Sequence, residues 1–122
     1  MERLLMHKLA KTPNDLEQFF VERVNAGDLE GLVALYEPNA IIANGKGEVA
    51  IGLDQIRAFL VKFLTKRPQL DPSMQAAPLC SSDLALTSSR LSNGDITAEV
   101  ARRQPGGHWL WVVDQFRLGN ER

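Results

Sequence analysis

Helical periodicity fills the first half of this chain and strand chemistry the second. A chain so divided buries both by packing its helices on one face of an antiparallel sheet. Thr12-Pro13-Asn14-Asp15 opens the first helix: Thr12 is a capping residue, Pro13 suits the first helical position, and Asp15 stands at capping-box spacing. Leu16, Phe19, Phe20 and Val24 then share a face until Gly27. Asp28 is placed to cap a second, short helix carrying Leu29, Leu32, Val33 and Tyr36 up to Pro38. Residues 40–43 and 48–51 flank the turn string Asn44-Gly45-Lys46-Gly47 and read as a small hairpin. Over 54–67, Ile56, Phe59, Leu60, Phe63 and Leu64 recur at period 3.6, with Lys66 and Arg67 in the last turn and Pro68 beyond. Strand-like runs follow over 74–80, 84–92, 96–104 and 108–118, with Asn93-Gly94 and Gly106-Gly107 reading as two-residue hairpin turns. The fold class is α+β.

Composition narrows the function. The chain of 122 residues suits one domain, over 12–122, preceded by an arm over 1–11 that reads as loose or weakly helical. With 14 Lys+Arg against 15 Asp+Glu and no basic block, no nucleic-acid partner is expected. The apolar Leu4-Leu5-Met6 is interrupted by His7, Lys8 and Lys11 before signal-peptide length, and no run reaches membrane-spanning length. A cytoplasmic location and no membrane partner are therefore expected. Cys80 is the only cysteine, which excludes an internal disulfide and a cysteine-based zinc site, and only His7 and His108 offer imidazole. No metal and no cofactor are expected. Gly45-Lys46-Gly47-Glu48-Val49-Ala50 has dinucleotide-fingerprint spacing but joins two strands with no helix start.

Turn register sorts the late strands into faces. With two-residue turns, Ser92 opposes Asp95 and Pro105 opposes His108. One face then carries Leu84, Leu86, Ser88, Arg90, Thr97, Glu99, Ala101, Leu110, Val112, Asp114 and Phe116. The other carries Ala85, Thr87, Ser89, Leu91, Ile96, Ala98, Val100, Trp109, Trp111 and Val113. Glu99 and Asp114 become direct neighbours, with Ser88 on the far side of Glu99 and Arg90 a diagonal away. Two carboxyls sharing a proton would have one pKa raised, whereas a nearby Arg90 would lower both. Proton transfer and a structural ion-pair network both stay open. The Trp109 and Trp111 stripe, with Val100 and Val113, is too large to leave wet and suggests a partner surface.

Several strings resemble one superfamily. They are Asn25-Ala26-Gly27-Asp28-Leu29, Leu35-Tyr36-Glu37-Pro38-Asn39-Ala40, Gly52 with Ile56-Arg57-Ala58-Phe59, and Arg102-Arg103-Gln104-Pro105-Gly106-Gly107-His108-Trp109. From 12 to 118 the chain is similar to the cone-shaped proteins that include nuclear transport factor 2, ketosteroid isomerase and the SnoaL-like polyketide cyclases. The resemblance implies helices packed in the concave face of a strongly bent, mostly antiparallel mixed sheet. It also implies an internal pocket and a homodimer through the outer sheet face. Carried over by position, the isomerase tyrosine falls at Phe20 and its aspartate base at Asn44, and neither can act in those roles. An active ketosteroid isomerase is not expected. The isomerase's protonated aspartate falls at Glu99 by strand order, and the cyclase acid most resembles Asp114.

These readings combine into one expectation. A small, partly apolar, oxygenated ligand occupies a pocket lined by Phe20, Tyr36, Asn44, Phe59, Leu86, Ser88, Arg90, Glu99, Val112, Asp114 and Phe116. Asp114 or Glu99 moves a proton in cyclase, isomerase or dehydratase chemistry while Arg90 steadies the developing anion. The alternative is a non-catalytic ligand-binding or protein-interaction module. Either form would be a homodimer across Val100, Trp109, Trp111 and Val113.

Overall fold

Three helices and a seven-stranded sheet follow one another in a computed structural model that describes residues 7–118. The arm's Leu4-Leu5-Met6 reading thus lies outside the described residues, as does the end of the chain beyond 118. In chain order come α1 (Asp15–Asn25), α2 (Leu29–Val33), β1 (Tyr36–Ala43), β2 (Val49–Ile51), α3 (Gly52–Leu64), β3 (Met74–Gln75), β4 (Leu79–Ser81), β5 (Leu84–Arg90), β6 (Ile96–Arg103) and β7 (Trp109–Leu118). The Asp15 carboxylate accepts from Lys11 N–H at 2.9 Å and Thr12 N–H at 3.1 Å, one of the two bonds of the expected capping box, but α1 begins at Asp15 with Asn14, not Thr12, at its cap position. Asp28 caps α2 by accepting from Gly31 N–H at 2.9 Å. Tyr36 begins β1 instead of closing α2, and the expected single strand over 74–80 divides into β3 and β4, both paired with β5.

The sheet runs β2-β1-β7-β6-β5-β3, with β4 also on β5. Only the β1–β7 pairing is parallel, so the sheet is mixed, curved and open, as the family resemblance implied. The helices bury Leu16, Phe20, Leu32, Ile56 and Leu60 with the inner sheet residues Tyr36, Ala40, Ile42, Ala85, Ala101 and Trp111. The described end of the arm is neither loose nor helical. Ala10 O accepts from Trp109 N–H at 2.9 Å, Lys8 O accepts from Arg23 at 2.8 Å, and His7 meets Asp28 at 2.8 Å.

The hairpins correct the expected faces. Leu91 N–H donates to Asp95 O and Gly94 N–H to Leu91 O, so the β5–β6 loop is Ser92-Asn93-Gly94, one residue longer than a two-residue turn. The added residue flips β5: Ala85, Thr87 and Ser89 face inward, while Leu84, Leu86 and Arg90 are exposed. The β6–β7 loop is likewise Pro105-Gly106-Gly107, which turns Trp109 and Trp111 inward. A β-bulge between the Trp111 and Val113 pairings then adds Val112, so Val113 faces out and Asp114 in. The expected partner surface therefore loses both tryptophans, buried at 7% and 1% exposure, and keeps Val100 and Val113 on the outer face.

Gly94 and Gly107, at φ 92° and 95°, hold the conformation these loops require. Replacing either with Ala or Val should destabilise the fold by about 1–2 kcal/mol in urea denaturation, and Asn should cost less than Val.

Candidate functional site

Alternation along the inner face of the sheet, corrected by the bulge, sets out a row of side chains: Thr87, Glu99, Asp114, Ile42 and Ala50. A second row places Ala101, Trp111 and Tyr36 side by side. Glu99 and Asp114 are thus direct neighbours, and both are 2% exposed. A cavity of about 250 Å³ lies against them, with Glu17 and Phe20 from α1, Phe63 from α3, Leu70, the β5–β6 loop, Thr97, Trp111 and Phe116 in its wall. Phe20 meets Phe63, Trp111 and Phe116 at ring separations of 6.5, 5.9 and 5.7 Å. The wall is aromatic on the helix side and acidic on the sheet side, with Glu17 as the helix side's own acid.

Three of the acids are held by hydroxyls of the frame. Tyr36 donates to Asp114 at 2.7 Å, Thr87 to Glu99 at 2.6 Å and Ser73 to Glu17 at 3.1 Å. No lysine, arginine or histidine is among the described residues lining the cavity. Burial therefore dominates the electrostatics. It pushes the Asp114 carboxyl well above its usual range, the charge of Glu99 adds to this, and the Tyr36 hydrogen bond opposes it. Glu99 is raised by burial against hydrogen bonding from Thr87 and Thr97. Glu17 is raised from 4.5 to about 7, by burial first and by Glu99 second, against the Ser73 hydrogen bond. Tyr36 is raised as well, by burial and then by Asp114, and stays a phenol. These shifts favour the protonated form of Asp114, and in that form a carboxyl whose other oxygen accepts from Tyr36 presents its own O–H as a donor. The indole N–H of Trp111 is buried without a partner among the described residues, so it adds a second donor in the same wall.

The structure brings Phe20, Glu99, Asp114 and Phe116 together in the cavity wall. Tyr36 sits behind the wall and acts through Asp114. Phe59 packs on Phe116 at 5.6 Å and lines an adjoining cleft with Asn44, whose side chain serves its own turn through Glu48 at 2.6 Å and Lys46 N–H at 2.8 Å. Leu86, Ser88 and Arg90 lie on the far face of β5, the consequence of the longer turn, and Val112 is the half-buried extra residue of the bulge. Arg90 therefore cannot steady an anion in this cavity. Sequence reasoning missed Glu17, Phe63 and Trp111 as wall residues. The signal for Glu17 was its place three residues before Phe20, on the same side of α1.

The sequence profile of the SnoaL-like domain family matches residues 16–122. No curated protein matches the chain. Among solved structures, it is similar to a ketosteroid isomerase-like protein from Erwinia carotovora atroseptica at 14% identity, covering 84% of this chain and 89% of that one with a TM-score of 0.67. A candidate calcium/calmodulin-dependent protein kinase II association domain from Thiobacillus denitrificans has 15% identity, 88% and 95% coverage and a TM-score of 0.73. A nuclear transport factor 2-like protein of unknown function from Pseudomonas putida has 17% identity, 84% and 80% coverage and a TM-score of 0.62. At such identities these likenesses speak for the fold.

Raised carboxyl pKa values set the sign of the pH dependence. Between pH 4.5 and about 7 the folded state binds the Glu17 proton and the unfolded state does not, so stability falls as pH rises through that window. Glu99 and Asp114, raised too, act in the same direction. The melting temperature should decline from pH 5 to pH 8, and Glu17→Gln should remove on the order of 3 kcal/mol of that dependence, measured by denaturation across pH.

Proposed function

Because the chain belongs to the SnoaL-like domain family, we propose that its cavity binds a small, partly apolar, oxygen-bearing molecule and that the carboxyls of Asp114 and Glu99 move a proton on it. The reaction class is isomerase, cyclase or dehydratase. One observation carries this reading: two neighbouring buried carboxyls, each hydrogen-bonded to a hydroxyl of the frame, border an aromatic cavity whose described lining holds no cation. Neutral Asp114 donates its proton to a carbonyl oxygen as the adjacent carbon gives up its own, and the Trp111 N–H accompanies it as a second donor to that oxygen. A neutral acid in a dry site can serve as an oxyanion donor where a guanidinium is missing. Phe20 and Asn44 still exclude the ketosteroid isomerase arrangement, the first by chemistry and the second also because its side chain is committed to a turn.

The outer face supports a homodimer, with a surface different from the tryptophan stripe. Leu79, Leu86, Val100, Val113, Ile41 and Ile51 form one row across β4, β5, β6, β7, β1 and β2. Leu79, Leu86, Val113 and Ile51 are 70%, 48%, 39% and 56% exposed, more apolar surface in one line than single exposed residues present. A second copy fits such a row because an isologous contact matches the same apolar surface on both sides. One structural neighbour is itself named for association.

Proton transfer can be read with 2-tetralone, a ketone whose C1–H exchanges with D2O when enolised. The protein should accelerate exchange above the buffer rate, with Asp114→Asn lowering it roughly 100-fold or more and leaving the fold intact. Unaccelerated exchange would remove the catalytic reading. Sedimentation should give a dimer, and Leu86→Glu with Val113→Glu should convert it to monomer.

A further inference from the structure

We infer that Glu17 is the base that works opposite Asp114, taking the substrate's carbon-bound proton and passing it to solvent through a second cavity behind α1. The inference rests on the proton-transfer reading and adds the partner that reading lacks, since Asp114 and Glu99 both belong to the sheet wall. Glu17 comes from α1, so acid and base reach the cavity from different layers with room for a molecule between them.

Glu17 also lines an outer cleft of about 350 Å³ with Gln18, Val21, Glu22, Pro72, Ser73 and Gln75. Of the three acids in the row and on α1 it alone borders both spaces, and at 7% exposure it is less buried than Glu99 or Asp114 at 2%. A base must be charged before it acts and must shed its proton afterwards, and both needs favour the acid nearest water. Ser73 holds Glu17 Oε2 at 3.1 Å, which leaves Oε1 for the proton. The titratable groups around it are Glu99 and Asp114 from the sheet, Asp95 from the β5–β6 loop and Glu22 from its own helix, all acidic. Burial first and the Glu99 charge second raise its pKa to about 7, which makes the base competent near neutrality.

The step balances within the site. The C–H bond breaks, its proton goes to Glu17 Oε1, its electron pair forms the enol C=C, and the carbonyl oxygen takes the Asp114 proton. Reprotonation at another carbon by Glu17, or from solvent through the outer cleft, with return of the enol proton to Asp114, completes an isomerisation and restores both carboxyls.

The test is the pH profile of 2-tetralone exchange in D2O for four proteins. Glu17→Gln should lower the rate roughly 100-fold or more with the ketone still bound, and Glu17→Asp should retain part of it. Ser73→Ala, which removes a hydrogen bond that lowers the Glu17 pKa, should move the acid limb to higher pH while the plateau stays. Wild-type exchange with an unchanged rate in Glu17→Gln would overturn Glu17 as base and leave the Asp114 reading standing. No exchange by wild type would overturn both. Should Glu17→Gln fail to fold, an unmoved acid limb in Ser73→Ala overturns the assignment.

Discussion

Trp111 and Asp114 face the same interior although they stand three positions apart in one strand, and strict strand alternation forbids that. The bulge at Val112 is what permits it. Without the extra residue, either the indole or the carboxyl would turn to the outer face. With Trp111 inside, the aromatic wall around Phe20 closes; with Asp114 inside, Tyr36 has its partner and Glu99 its neighbour. The irregularity in β7 is thus the condition for a cavity that is aromatic and acidic at once, and Val113 on its outer side completes the apolar row.

The helical half was legible in residues because its signals are local. Asp28 before Leu29, and Ile56, Leu60 and Phe63 at helical spacing, need no knowledge of the rest of the chain. The sheet half was legible only up to turn length. Asn93-Gly94 and Gly106-Gly107 both mark hairpins, but whether Ser92 or Pro105 belongs to strand or loop depends on backbone conformation at Gly94 and Gly107. One residue decides the face of every side chain on β5, so Arg90 and Ser88 exchanged places with Thr87 and Ser89. For β7 the longer turn and the bulge compensate one another, and the expected pairing of Glu99 with Asp114 survives beside wrongly placed tryptophans. Bulges carry little sequence signal of their own.

Moving Arg90 outside changes the chemistry more than any other correction. With a guanidinium among them, the acids would ionise and settle into ion pairs. With hydroxyls only, their pKa values are raised, because a hydroxyl offsets part of the burial cost at one oxygen and supplies no charge. The same geometry grades the acids. Asp114 meets burial, Glu99 and Glu17 together and is raised furthest from ionising, while Glu17 borders a second, outer space.

Such an arrangement is expensive as architecture. Buried acids that serve only stability come with cations or with hydrogen bonds to both oxygens, and hydrocarbon of similar volume would hold the same space at less cost. Here four carboxyls, Glu17, Asp95, Glu99 and Asp114, gather on one cavity whose described lining holds no cation, beside an indole N–H without a partner among the described residues. The buried Arg23, by contrast, reaches both Gly31 O and Lys8 O and lies over Phe19. Acids and an indole donor left incomplete around this cavity stand where a bound molecule would meet them.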